Sequence, residues 1–200
     1  MKMRGHTLVW HTQTPDWFFR ENYDSNAEYV DKETMLFRME SYIKQLMTHV
    51  QDNYPGVVYC WDVVNEAVDP GKGDQNSAFL CRTENDGTPN PWYVTIGEEY
   101  VEMAFTYARK YAADGVKLFY NDFNTFQTEK RDAIYTLCSS LKEKGLIDGI
   151  GMQGYWGVTS PTIGILELTI KKFAELELEI QITELSVSVT EEDDESFKKQ

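Results

Sequence analysis

The stretches Trp61-Asp62-Val63-Val64-Asn65-Glu66 and Ile180-Gln181-Ile182-Thr183-Glu184-Leu185 each set a glutamate directly behind an apolar run rich in β-branched residues. Runs of this kind read as strands buried on both faces of a parallel sheet, and each glutamate then falls where its strand ends. A carboxylate left there without partners costs several kcal/mol, so a chain that keeps two of them has a use for both. Either glutamate alone also reads as half of a structural ion pair or as a cap on the next helix. Two of them in matching contexts, more than half the chain apart, read as a pair.

Working outward, the apolar pattern alternates between short continuous runs and helical spacing, the mark of βα units around a parallel sheet. Strands are expected at residues 3–10, 57–65, 116–121, 149–153 and 178–183, and helices at 33–53, 100–113, 129–144 and 162–176. In the first helix Met35, Met39, Tyr42, Leu46 and Val50 recur at helical intervals. Asp114-Gly115 ends the second helix and Gly145 the third, and the fourth is entered just after Pro161. The stretch 68–91, rich in Gly, Asn, Asp and Pro, reads as a loop on the active face, because strand and helix patterning resumes on both sides. Residues 190–200, with Glu191-Glu192-Asp193-Asp194-Glu195, read as a solvated helix start or tail. Five strands fall short of the eight that close a (β/α)8 barrel. The fold is therefore either not a barrel or part of one.

The chain has 200 residues and a mass of 23.2 kDa. A chain of this size buries roughly 70% of its unfolded surface, so residues 1–200 are expected to form a single domain. A net charge of −14 and a pI near 4.6 argue against nucleic acid and anionic membrane surfaces as partners, since both would be repelled. Aromatic residues make up 14% of the chain, with 5 Trp and 12 Tyr. Flat aromatic faces stack on sugar rings, although core and rim packing accounts for many of them. Cys60, Cys81 and Cys138 are odd in number, lack metal-ligand spacing, and are expected to be buried small hydrophobes. No run approaches the roughly 20 apolar residues of a membrane span, and Met1-Lys2-Met3-Arg4-Gly5 does not form a signal peptide.

Polar or aromatic groups appear where each expected strand stops: Trp10-His11, Asn65-Glu66, Asn121-Asp122, Gln153-Gly154-Tyr155-Trp156 and Glu184. In a parallel α/β fold these gather at the C-terminal face, where active sites lie. Two carboxylates at the mouth of one barrel are the minimum equipment for cleaving a glycosidic bond.

The stretches Arg4-Gly5-His6-Thr7-Leu8-Val9-Trp10-His11, Thr14-Pro15-Asp16-Trp17, Trp61 to Glu66, Tyr120-Asn121-Asp122, Gly149-Ile150-Gly151-Met152-Gln153-Gly154 and Ile182-Thr183-Glu184-Leu185 follow one another in one order. In that order the chain resembles glycoside hydrolase family 10, the retaining endo-β-1,4-xylanases. The resemblance covers essentially all 200 residues and implies a (β/α)8 TIM barrel of which about five βα units, strands three to seven, are present: a partial catalytic domain. It implies Glu66 as general acid/base and Glu184 as nucleophile. Substrate contacts are implied at His6, Trp10, Asn65, Gln153, Tyr155 and Trp156, with Asn65 on the sugar 2-hydroxyl and His11 supporting the site. His49, on the first helix, is expected on the surface. A retaining pair needs its carboxyl groups roughly 5 to 5.5 Å apart, against about 6.5 to 9.5 Å for an inverting pair, and the short separation is expected.

The chain departs from the family near the nucleophile: Tyr155 and Ser186 stand where the family often carries histidine and aspartate. No metal or organic cofactor is implied. The expected partner is xylan or a xylo-oligosaccharide, and the parent protein is expected to be secreted, because the substrate is a wall polymer. Two alternatives stay open. One is a related retaining barrel glycosidase acting on glucan or mannan. The other is a catalytically silent carbohydrate-binding fragment, since an open sheet exposes two edges prone to self-association.

Overall fold

Five parallel strands carry the architecture of the computed structural model, which describes residues 1–189 and 194–200. In chain order the elements are β1 Met3–Trp10, α1 Lys32–Asn53, β2 Val58–Asn65, a small hairpin of β3 Glu84–Asn85 and β4 Thr88–Pro89, α2 Pro91–Ile96, α3 Tyr100–Tyr111, β5 Lys117–Phe123, α4 Thr128–Glu143, β6 Gly149–Gly157, α5 Ile163–Ala174, β7 Glu179–Ser188 and α6 Asp194–Lys199. The main sheet runs β1-β2-β5-β6-β7, so each strand lies beside the next strand of the βα series. Of the expected tail, residues 190–193 lie outside the described residues, and Asp194–Lys199 form α6.

The sheet is curled rather than flat. Four gaps of about 4.8 Å would put β1 and β7 about 19 Å apart in a flat sheet. Instead Arg4 on β1 donates a 2.6 Å hydrogen bond to Gln181 on β7 across the interior. That curvature is what a barrel requires, and β1 and β7 are its free edges among the described residues. β2 is buried from Cys60 through Asn65, as a central parallel strand with both faces covered must be.

Helix α1 starts at Asp31, whose side chain accepts from the Thr34 amide at 2.8 Å, a cap whose loss costs about 1 kcal/mol. Its fully buried stripe is Met35, Met39, Ile43 and Met47. Tyr42, Leu46 and Val50, expected within that stripe, flank it half-buried, because a four-residue repeat tracks one face more closely than the wider set. Helix α4 ends as expected: Gly145 takes φ +68°, and Leu146 N donates to Leu141 O at 3.0 Å. The three cysteines are buried and free.

Three expectations are corrected. β6 runs four residues beyond Gln153, to Gly157. β7 runs on to Ser188, so Glu184 lies inside a strand and not behind one. Stretch 68–91 is not irregular throughout, because bridges Val68–Cys81 and Gly73–Arg82 and the β3–β4 hairpin fold it back on itself.

Candidate active site

Register brings the two glutamates to one place. In the β6–β7 ladder Met152 pairs with Ile182 but Gln153 pairs with Glu184, which leaves Thr183 as an extra residue in β7. Such a bulge re-aims side chains that would otherwise alternate between faces. Thr183 and Glu184 both reach Asn121 on β5: Thr183 Oγ1 donates to its Oδ1 at 2.6 Å, and its Nδ2 donates to Glu184 Oε1 at 3.0 Å. In the β2–β5 ladder Val63 is extra in the same way, and Asn65 pairs with Asn121.

Glu66 follows β2 in a left-handed conformation, φ +59°, which costs a residue with a Cβ about 1–3 kcal/mol and clusters at functional sites. Its amide donates to Asn121 O at 2.9 Å. Its carboxylate accepts from Trp10 Nε1 at 3.1 Å, Asn65 Nδ2 at 3.1 Å and Gln153 Nε2 at 3.0 Å. Asn65 Oδ1 accepts from Asn121 Nδ2 at 2.9 Å and Gln153 Nε2 at 3.1 Å. Each of the three amides therefore turns its NH2 toward a carboxylate, and Asn65 and Asn121 turn their carbonyls toward another donor. Asn65, Asn121 and Gln153 are nearly inaccessible to solvent, which fixes the relay and strengthens each bond.

Tyr155, largely exposed, donates its hydroxyl to Glu184 Oε2. That bond pushes the phenol up to about 12, with smaller contributions from burial and from the charges of Glu184 and Glu66. His6 does not touch either glutamate. Its Nδ1 lies 3.0 Å from Oδ2 of buried Asp62, which also holds Arg4. The Asp62 bond raises the His6 pKa against the opposing effect of burial, and Glu184 and Glu66 both add to the rise. Both glutamates thus act on both His6 and Tyr155, as two charges converging on one cleft would.

Of the expected site residues, Trp10, Asn65, Gln153 and Tyr155 touch a glutamate directly. Trp156 sits opposite Val187 at the end of the β6–β7 ladder, and its backbone oxygen accepts from Ser188 Oγ at 3.3 Å. Ser186 is exposed opposite Tyr155. His49 is on the surface of α1. His11 is half-buried, with a pKa lowered to about 3 by burial and then by the Arg82 cation, so it stands neutral beside the site. A cavity of about 410 Å³ adjoins the cleft at β1, lined by His6, Trp10, Trp17, Phe18, Tyr42 and Trp92 among others. Asn121 and Asp62, quoted in motifs but given no role, are central to the geometry, and Arg82 carried no sequence signal at all.

A curled parallel sheet with two amide-linked glutamates at its carboxyl edge defines a (β/α)8-barrel protein with a two-carboxylate site. The description "Glycosyl hydrolase family 10" matches residues 1–200, and the chain belongs to that family. A putative endo-1,4-beta-xylanase of Caldicellulosiruptor saccharolyticus is 49% identical over 210 residues, covering 100% of this chain and 64% of the relative. Endo-1,4-beta-xylanase B of Butyrivibrio fibrisolvens is 45% identical over 98% of this chain and 29% of its own length. Among solved structures, an intracellular xylanase from Thermoanaerobacterium saccharolyticum superposes with TM-score 0.86 at 35% identity, over 100% of this chain and 58% of that one. Variants of that enzyme with a glutamate replaced by alanine were solved with xylotriose and xylotetraose. The chain thus spans less than two thirds of the length of these relatives.

Proposed function

We propose that the protein to which this chain belongs is an endo-1,4-β-xylanase, hydrolysing internal β-1,4 xylosidic bonds of xylan or xylo-oligosaccharides with retention. Glu66 acts as acid/base and Glu184 as nucleophile. The observation that carries this reading is Asn121 Nδ2, which donates at once to Glu184 and to the Asn65 that serves Glu66. Two buried amides in series, Asn121 and Asn65, join the two carboxylates across the cleft.

In the first step a Glu184 oxygen forms a bond to the anomeric carbon while the bond to the leaving oxygen breaks, and Glu66 gives that oxygen its proton. In the second step Glu66 takes a proton from water, which displaces Glu184 from the sugar. The amide bonds tie the two carboxylates to one another through Asn65 and Asn121, which supports the short separation a retaining pair needs, and the Asn65 contact to the sugar 2-hydroxyl is part of the same reading. Trp10 and the aromatic lining beside it offer a stacking wall. The polymer substrate further supports a site of action outside the cell, and activity in culture medium rather than in cell extract tests it.

The test is hydrolysis of xylan against cellulose and mannan, with the anomer of the first product followed by NMR. β-Anomer from xylan is expected, and Glu66→Ala is expected to lose about 10²- to 10⁴-fold in rate. Initial release of the α-anomer would overturn the retaining assignment, and preferred turnover of cellulose or mannan would overturn the substrate. The open edges of β1 and β7 favour a second reading for these 200 residues alone, a silent sugar-binding and self-associating piece. Turnover of xylan by a monomer of this chain would sink it.

A further inference from the structure

Glu66 is held from behind. Its left-handed peptide turns its carbonyl away from the strand ladder, and Arg82 meets it: Nε donates to Glu66 O at 2.8 Å. The same guanidinium donates from Nη1 to Asp69 Oδ2 at 2.7 Å, and the Arg82 amide donates to Ala67 O at 2.7 Å. Arg82 is itself almost fully buried and is anchored by Asn90 Nδ2, which donates to its carbonyl at 2.9 Å. From the opposite side Val68 N donates to Tyr120 OH at 3.1 Å. Tyr120 in turn donates to Asp122, which is paired with buried Lys130 at 2.7 Å. Residues 66–69 are therefore clamped between a planar cationic fork and a buried phenol braced by the Asp122–Lys130 ion pair. A fork with fixed donors can hold a carbonyl and a carboxylate at a set angle, which an ammonium cannot.

We propose that Arg82 is a positioning residue for proton transfer, locking the Glu66 peptide in its left-handed conformation and so fixing where the carboxyl meets the leaving oxygen. This rests on the reading of Glu66 as the acid/base. An arginine that merely stapled the loop would affect all substrates alike, whereas a misplaced acid matters most when the leaving group needs its proton.

The test compares the full chain with Arg82→Lys and Arg82→Met on aryl β-xylobiosides whose phenols range from dinitrophenol to unsubstituted phenol, alongside a crystal structure of each variant. Arg82→Met is expected to lose about 10²-fold in kcat/KM on the phenyl substrate and less than about threefold on the dinitrophenyl one. Glu66 should leave the left-handed region and its bonds to Trp10 and Gln153 should break, with Arg82→Lys intermediate. Equal losses across the phenols would overturn the proposal, and so would a Glu66 that keeps its conformation and partners in both variants. A wild-type chain inert toward every aryl xylobioside would support the silent-piece reading of these residues, and the Glu66 conformation in the variants would then decide the positioning claim by itself.

Discussion

His6 sits between a buried carboxylate and a wet cleft, and its protonation should follow that placement. The Asp62 bond raises the pKa of the folded ring above 6.5. The stabilisation it brings is then complete below the unfolded value of about 6.5 and is lost as pH rises through the higher folded value. The Tm difference between wild type and His6→Gln should therefore shrink as pH rises above about 6.5, and a difference that stays constant above that pH would refute the coupling. Tyr155 makes the opposite case. With its phenol at about 12, it stays a neutral donor to Glu184 through the whole working range. Tyr155→His should place a titrating group there and add an ionisation near neutrality to the kcat/KM profile, whereas the wild type should show a flatter alkaline side on which only loss of the Glu66 proton is felt. Superimposable profiles would count against any role for this hydroxyl at the nucleophile. Trp10, Asn65, Glu66 and Gln153 were legible because each ends or extends an apolar run, where a polar group stands out. Arg82 was not, because it lies in a stretch without periodicity and its bond to Glu66 goes to a backbone carbonyl, which no side-chain pattern reveals.

Within the elements, the bulges decide which side chains meet. Expecting β7 to stop at Thr183 was reasonable, since the alternation breaks there. The break is the extra residue of a bulge, after which Leu185 and Val187 resume the period. Strand order and helix bounds were readable to within a few residues because the 2.0 and 3.6 periods are strong in this chain. The bulges were not, because they are properties of a pair of strands. Helix α2 had a signal, Asn90 accepting from Trp92 N at 3.1 Å ahead of Pro91, but six residues give too little periodicity to register. Gly151 tests the arrangement on β6. A Cβ there would lie 2.4 Å from Asn121 Oδ1 and 2.8 Å from Thr183 Cγ2, closer than such atoms approach, so Asn121 would have to move. Gly151→Ala should cost about 1–3 kcal/mol in urea unfolding and weaken hydrolysis more than it weakens sugar binding, because Asn121 holds the nucleophile. A variant with wild-type stability and rate would show that the contact can relax.

At the scale of the molecule, curvature and charge oppose one another. The curled sheet leaves β1 and β7 without outer neighbours among the described residues. On β7, Ile182 and Leu185 are 50% and 65% exposed, and on α5 Ile163 and Leu168 are 85% and 62% exposed. Unpaired strand edges beside apolar side chains are templates for pairing with a second chain. A net charge of −14 resists that approach, but salt screens it beyond about 10 Å at 0.1 M and about 3 Å at 1 M, while edge pairing and apolar burial act at contact. Sedimentation velocity on the isolated chain should therefore show association that grows with protein concentration and with added salt, the reverse of an ion-pair interface. Replacing Ile182 and Leu185 with lysine should return it toward monomer at every salt concentration, since both side chains lie off the Asn121 relay and a charged edge repels a pairing strand. A chain that remains monomeric in 1 M salt would mean that the free edges are already satisfied within the molecule, and the open-sheet account of its behaviour would then have to be abandoned.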